Sequence, residues 1–290
     1  MTPSRPTLLA TTLGLLTLTA TQEAHAQSAW TQPEGEAFLQ ASLTNIGPYD
    51  TLFRRSGPDF TTGREITETS LELYGEYGLS EGWTLVGNLP FRSVDAGDLV
   101  SGATLQPVTI EEGSLSALGN LLVGVRHPLS APGADTALAA QLDLELPTGS
   151  TDSATGLATG LDAFTLRPWL SVGRGYGKAY AQAHLGLSLR TDSYSHDWRL
   201  GGEVGYRFTE SLLVAGTLDL VDSFENGSVD LDPRRLETGL FIDEQEYLSP
   251  GIKALWQFGE RFGLSASLRG AITGNNVPEA PFVMIGLTYR

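Results

Sequence analysis

Cysteine is absent from all 290 residues. That excludes a disulfide scaffold, a thiolate metal site and a cysteine nucleophile together, and it suits export into an oxidising compartment. Basic residues are scarce: 18 Lys and Arg stand against 34 Asp and Glu, a net charge of -16. Nucleic-acid binding needs basic patches that displace phosphate counterions, so no nucleic-acid partner is expected. Beyond the first 26 residues, no stretch reaches the ~18 apolar residues of a membrane-crossing helix, and mean hydropathy is only -0.06. This excludes helical spans and leaves strands open, because alternating apolar and polar residues average to near zero. Nucleotide motifs are missing too: there is no GxxxxGK[ST], and Gly173 to Gly177 lacks GxGxxG spacing. The run Asp222 to Pro233 superficially suggests calcium, but an EF-hand needs oxygen ligands where Phe224 and Pro233 stand. It reads as an acidic surface loop, and neither metal nor cofactor is expected.

What is present begins with an export signal. Arg5 supplies a positive start, Leu8 to Ala20 an apolar run, and Ala24-His25-Ala26 the small-x-small pattern of signal peptidase. Residues 1–26 are therefore expected to be removed, leaving 27–290 as one barrel domain.

From Gly35 onward the apolar residues recur with a period of two. In Thr67 to Leu79, Thr69, Leu71, Leu73, Tyr77 and Leu79 share one face, while Glu68, Ser70, Glu72, Tyr74 and Glu76 share the other. A helix would scatter these glutamates around its circumference. Repeating the reading predicts about twelve strands, near 35–46, 66–78, 82–93, 114–127, 135–147, 161–173, 177–190, 196–208, 211–222, 245–258, 261–273 and 281–290. Such segments match the ~9–11 residues of a tilted strand crossing a bilayer. Their connections alternate between tight links and longer polar segments such as 47–65, 94–113 and 223–244. The fold class expected is all-β: a transmembrane antiparallel up-and-down β-barrel of about 12 strands, with periplasmic termini and long loops outside.

Aromatic residues fall where interfacial girdles belong: Tyr77, Trp83, Phe208, Phe258 and Phe262 at the inner rim, Phe91 and Trp198 at the outer. Setting Tyr77 opposite Trp83 puts Glu68 opposite Arg92, and a tight turn at Thr209-Glu210 puts Arg199 near Asp219. Charges on a lipid face cost ~2–4 kcal/mol for Arg or Lys at mid-depth. That cost assigns Glu68, Glu72, Glu76, Arg92, Arg126, Asp143, Glu145, Arg167, Arg190, Arg199, Glu203, Arg207, Asp219, Lys253 and Arg269 to the barrel interior. Tyr74, Trp169, Tyr180 and Tyr247 should face inward with them, as contact surface for a solute or as volume filling. Two interiors fit this set. One is a salt-bridged filling; the other is a narrow wet pore with an acidic row (Glu68, Glu72, Glu76) facing a basic row (Arg199, Arg207). Twelve strands fall between filled eight-stranded barrels and open ones of ~16–18.

Three strings carry a family resemblance. Leu73 to Phe91 (LYGEYGLSEGWTLVGNLPF), Leu118 to Leu129 (LGNLLVGVRHPL) and Leu144 to Gly156 (LELPTGSTDSATG) resemble the outer-membrane proteins of the phenol-degradation meta-pathway family. The resemblance covers the first half of the mature chain. It implies a transporter-like barrel, without a stated substrate.

Three function classes follow. The first is a channel or transporter for small solutes, hydrophobic or aromatic ones among them. The second is a structural or surface-interaction barrel acting through its loops. The third is an outer-membrane lipid hydrolase, for which His184 and Ser188 share a strand face with no evident orienting partner; no enzymatic role is expected. The partners implied are outer-membrane lipid, a small-molecule solute and the barrel-assembly machinery during insertion.

Overall fold

The computed structural model describes residues 28–80, 82–98 and 110–290; the expected signal peptide and cleavage site lie outside these. The strands are β1 (Ala37–Phe53), β2 (Phe60–Ser80), β3 (Trp83–Ala96), β4 (Gly113–Leu118), β5 (Leu121–Pro128), β6 (Thr136–Leu146), β7 (Thr165–Tyr176), β8 (Ala179–Arg190), β9 (Asp197–Arg207), β10 (Leu212–Ser223), β11 (Glu246–Gln257), β12 (Phe262–Gly270), β13 (Thr273–Asn275), β14 (Val277–Pro278) and β15 (Pro281–Tyr289). Each pairs antiparallel with its neighbours, and β1 pairs with β15, which closes the sheet. With β4 and β5 as two halves of one stave, and β13 and β14 as short loop strands, this is a closed twelve-stranded barrel. Closure leaves no unpaired sheet edge.

The period-two alternation sorts side chains as the sequence implies. Leu71, Leu73, Leu142, Leu144, Leu170, Leu185, Leu200, Ile252 and Ile285 are all exposed on the outer wall, while Glu68, Glu76, Arg126 and Asp143 are buried within. The end carrying residues 28–34 and Arg290 has the tight turns and an aromatic rim: Trp83 against His127, Tyr206 against Phe208, Phe258 against Phe262, and Phe262 against Tyr289.

Several sequence expectations need correction. The segment 47–65 is mostly strand, because β1 and β2 run beyond the belt as a hairpin joined by a short loop at 54–59. Bulges after Ile46 and Tyr49 bend that hairpin and turn Tyr49, Leu52 and Ile66 into a core with Val94, Ala96, Leu157 and Leu240. The expected strand 114–127 breaks at Gly119-Asn120. Phe91 pairs Leu118 but Asn88 pairs Leu122, a one-residue slip that inverts which face points outward. The β2–β3 register is shifted by two from the expectation: Tyr77 stands opposite Leu85, and Arg92 opposite Ser70. An irregularity after Gly78 lets the strands stay paired as far as Ser80 and Trp83, so the connection takes up less chain than one that starts from a Tyr77–Trp83 pair.

At the end opposite the chain termini, the loops fold inward rather than standing free. Residues 147–164 and 224–245, the latter with a short helix α1 (Pro233–Leu236), form a cap. Tyr49 Oη donates to the Thr238 carbonyl at 2.7 Å. The buried Arg235 guanidinium bonds Asp162 and the carbonyls of Gly160 and Phe241. Arg64, also fully buried, donates to the carbonyls of Glu111 and Thr155. Three segments distant in sequence are thus pinned by cations placed where carbonyls would otherwise lack donors.

Candidate functional site

The interior is where the chemistry lies, and it is divided in two. An outer chamber of ≈ 370 Å³ sits beneath the cap, and an inner chamber of ≈ 300 Å³ continues toward the end with the termini. Asn88 and Leu122 border both and so form a wall that the two chambers share.

Glu76 organises the turn-end half. It accepts from Arg126 at 2.9 Å, from Gln32 Nε2 at 2.7 Å and from the Tyr74 hydroxyl. Arg126 reaches on to Gln141 at 2.7 Å, and Gln141 Nε2 donates to Asp143 at 2.8 Å. Trp169 Nε1 donates to the other Asp143 oxygen at 3.0 Å. The Trp169 ring meets His184 edge-on at 5.5 Å, and His184 Nε2 lies 3.9 Å from Asp219, which is 3.8 Å from Arg269. Further round the wall, Glu203 accepts from Lys253 at 2.9 Å, Gln182 at 3.1 Å and the Tyr180 hydroxyl. Glu76 and Glu203 each have an opposite charge and further hydrogen bonds, and Asp143 has two neutral donors, the conditions under which burying them is tolerable.

The N-terminal segment enters this network, which sequence reasoning missed. Ser28 and Ala29 are buried, Arg126 donates to the Trp30 carbonyl at 2.8 Å, and the Trp30 ring contacts Tyr180 at 6.2 Å. Gln32 N donates to Thr84 Oγ1 at 2.8 Å, and Glu34 bridges Gly78. Residues 28–34 thus occupy the turn-end mouth of the barrel.

The loop-end half is richer in guanidinium. Arg92 pairs with Glu68 despite the shifted register, reaching it diagonally. Arg167 pairs with Glu145 at 2.6 Å, and Arg190 and Arg199 share Asp197. The expected Arg199–Asp219 pairing does not form. Arg199 stands opposite Val221, and Asp219 opposite Gly201; Asp197, on the same strand and face as Arg199, takes the guanidinium instead. The acidic and basic rows are likewise not two opposed free rows, since Glu68 and Glu76 are neutralised by adjacent arginines and Arg199 by Asp197. Glu72 lines the inner chamber. Arg207 lies at the turn-end rim, donating to the Glu210 carbonyl at 3.3 Å. Tyr74 borders the inner chamber and Tyr247 the outer one.

Two glycines keep the lumen from filling. A Cβ at Gly186 would lie 2.2 Å from the Trp169 ring, and one at Gly205 would lie 2.0 Å from that of Tyr180. Each ring lies flat against a bare stretch of wall. Asn120 is the other residue the sequence reading passed over. It fills the break between β4 and β5, donating to Glu145 and the Leu161 carbonyl and accepting from Gly149 N. The signal was legible as a phase change in alternation, from Leu118 outward to Val123 outward. The hydrolase pair does not come together as one unit. Ser188 Oγ accepts from Arg167 and Arg199, while His184 faces Trp169 and Asp219.

Comparison with known proteins agrees with this architecture. Residues 59–280 match the family described as "Putative MetA-pathway of phenol degradation", and the chain belongs to that family. Among solved structures, the COG4313 outer membrane channel from Pseudomonas putida F1 superposes with a TM-score of 0.68 at 17% identity, covering 92% of this chain and 99% of that one. The translocator domain of the autotransporter NalP from Neisseria meningitidis gives 0.54 at 12% identity, with 89% of each chain covered. The KdgM porin gives 0.50 at 7% identity, covering 87% of this chain and 98% of that one. No curated protein sequence matches the chain. The fold is that of an outer-membrane β-barrel of channel or porin type.

Proposed function

We propose that this member of the phenol-degradation meta-pathway family is a narrow channel passing small solutes across the bacterial outer membrane, its termini and N-terminal segment periplasmic and its cap extracellular. The observation that carries the reading is the lumen itself. Twelve strands enclose two chambers that share Asn88 and Leu122 in their walls, space that the filled interior of an eight-stranded barrel lacks. Paired charges line the wall without filling it, because Trp169 and Tyr180 lie flat over glycines. Tyr74 and Tyr247, which border the inner and outer chambers, offer ring surface to an apolar or aromatic solute, while Glu72, Asp219, Lys253 and Arg269 keep the path wet. The partners are outer-membrane lipid around the belt, the solute within, and the assembly machinery during insertion. No catalytic role is assigned.

The test is solute entry into vesicles holding the refolded barrel. Swelling should be fast for molecules of one ring or a few carbons and should fall steeply with size, as chambers of this volume require. Vesicles no more permeable than protein-free ones would sink the proposal and favour a surface-interaction role for the cap.

A further inference from the structure

The cap reaches the outer chamber through Phe241, Ile242 and Gln245. Phe241 meets the charged wall there: the Arg92 guanidinium lies over its ring, 4.9 Å from the ring centroid. Arg92 Nη1 donates at the same time to Glu68, so the ring contact and the ion pair coexist. Further from the cap on the same face of β3, Pro90 and Asn88 also line the chamber, and Asn88 borders the inner chamber as well. The Phe241 ring thus stands at the cap end of the wall that leads from one chamber toward the other.

The backbone that carries this ring is fixed. Phe241 has φ +52°, a left-handed conformation that a bulky side chain disfavours. Gly239 and Glu244 are left-handed too, at +67° and +55°, which coils the segment tightly. Arg235 donates to the Phe241 carbonyl at 3.0 Å, and Gln245 Nε2 to the Gly239 and Asn276 carbonyls, each at 2.9 Å. Leu240 and Ile242, on either side, are buried. Strain of this kind persists only where the surroundings impose it, and it gathers at clamps and switches. The ring itself is only partly packed against the hydrophobic core under the cap, and a cation–π contact is a weak tie beside an ion pair with hydrogen bonds. The side chain is therefore the part free to turn, and rotamer changes are faster than loop motions.

We propose that Phe241 is the gate of the outer chamber: its ring closes the entry against Arg92, and a solute passes when the ring swings off the guanidinium while the loop backbone stays in place. A closed apolar ring excludes water and hydrated solutes, as hydrophobic constrictions in channels do. Opening leaves the Arg92–Glu68 pair intact, so no buried charge is stranded by the motion. This gate presupposes the channel reading and deepens it, naming the residue that limits entry.

Arabinose entry into vesicles holding the full-length refolded barrel tests the gate. Asn accepts the left-handed conformation, so Phe241→Asn removes the ring and keeps the turn. Entry should be severalfold faster than in wild type, and slower than wild type in Phe241→Trp, whose ring is larger. A ring that merely packs the cap would instead lower the urea midpoint of Phe241→Asn and leave entry unchanged. Equal entry through wild type and a folded Phe241→Asn barrel overturns the gate and leaves the channel reading standing. Where Phe241→Asn gives no folded band on an unboiled gel, Phe241→Trp decides, and unchanged entry through it overturns the gate. Entry through the Asn variant with none through wild type supports a gate that rests closed. No entry through wild type or either folded variant overturns gate and channel together.

Discussion

At the scale of single residues, the interior is held by charges that would be intolerable alone. Arg126 is fully buried and joins Glu76, Gln141 and the Trp30 carbonyl. Arg126→Gln leaves the Glu76 carboxylate without its cation, and breaking a buried pair from one side costs about 3–5 kcal/mol. The variant should unfold at markedly lower urea than wild type, measured by the boiled-versus-unboiled gel shift, whereas Glu76→Gln together with Arg126→Gln should recover part of the loss. Glu237, in the cap, behaves differently. Burial, outweighing the attraction of Arg54 and Arg64, raises its carboxyl above the ordinary glutamate range, and its Oε2 has no partner among the described residues. A raised acid favours the folded cap below the ordinary glutamate pKa and loses that contribution as pH climbs through the raised value. Protease cutting within 224–245 should therefore speed up across that window in wild type and stay flat in Glu237→Gln.

At the scale of elements, the N-terminal segment is the piece whose removal should matter most for passage. Ser28 to Glu34 hangs on the barrel wall through Gln32, the Trp30 carbonyl and one bridge at Gly78, few ties for a segment lying in a mouth. Deleting 28–34 should raise vesicle permeability severalfold while the barrel still folds; unchanged permeability would show that the segment lies beside the path and not in it. Nothing in the sequence pointed there, because a short irregular stretch lacks the periodicity by which strands announce themselves. The staves themselves were legible, since a lipid-facing wall forbids charge and forces strict alternation over ten or more residues. Pairing registers were not. Two residues of slip at Ser80–Trp83, and the break at Asn120, depend on turn and bulge geometry that alternation does not encode. Facing was therefore readable for Glu68, Arg92 and Arg199, while the partner of Arg199 was not. The cap was unreadable for a related reason: Arg64 and Arg235 are held by backbone carbonyls, which every sequence offers equally.

At the scale of the whole molecule, the outer belt and the divided lumen support one proposal together: a membrane-spanning barrel of channel type with a path through it. The belt alone establishes the barrel. The two chambers of ≈ 370 and ≈ 300 Å³, separated at Asn88 and Leu122, are what the proposed path would run through. Its wall charges are paired locally, so the lumen offers an ion water and compensated dipoles in place of a wall of one sign. The most direct measurement is single-channel recording of the purified, refolded protein in a planar bilayer bathed in KCl. The account predicts small discrete conductance steps, well below those of a wide porin, and larger steps once residues 28–34 are removed. A bilayer that stays silent with both proteins, each shown by its gel shift to be folded, would contradict it.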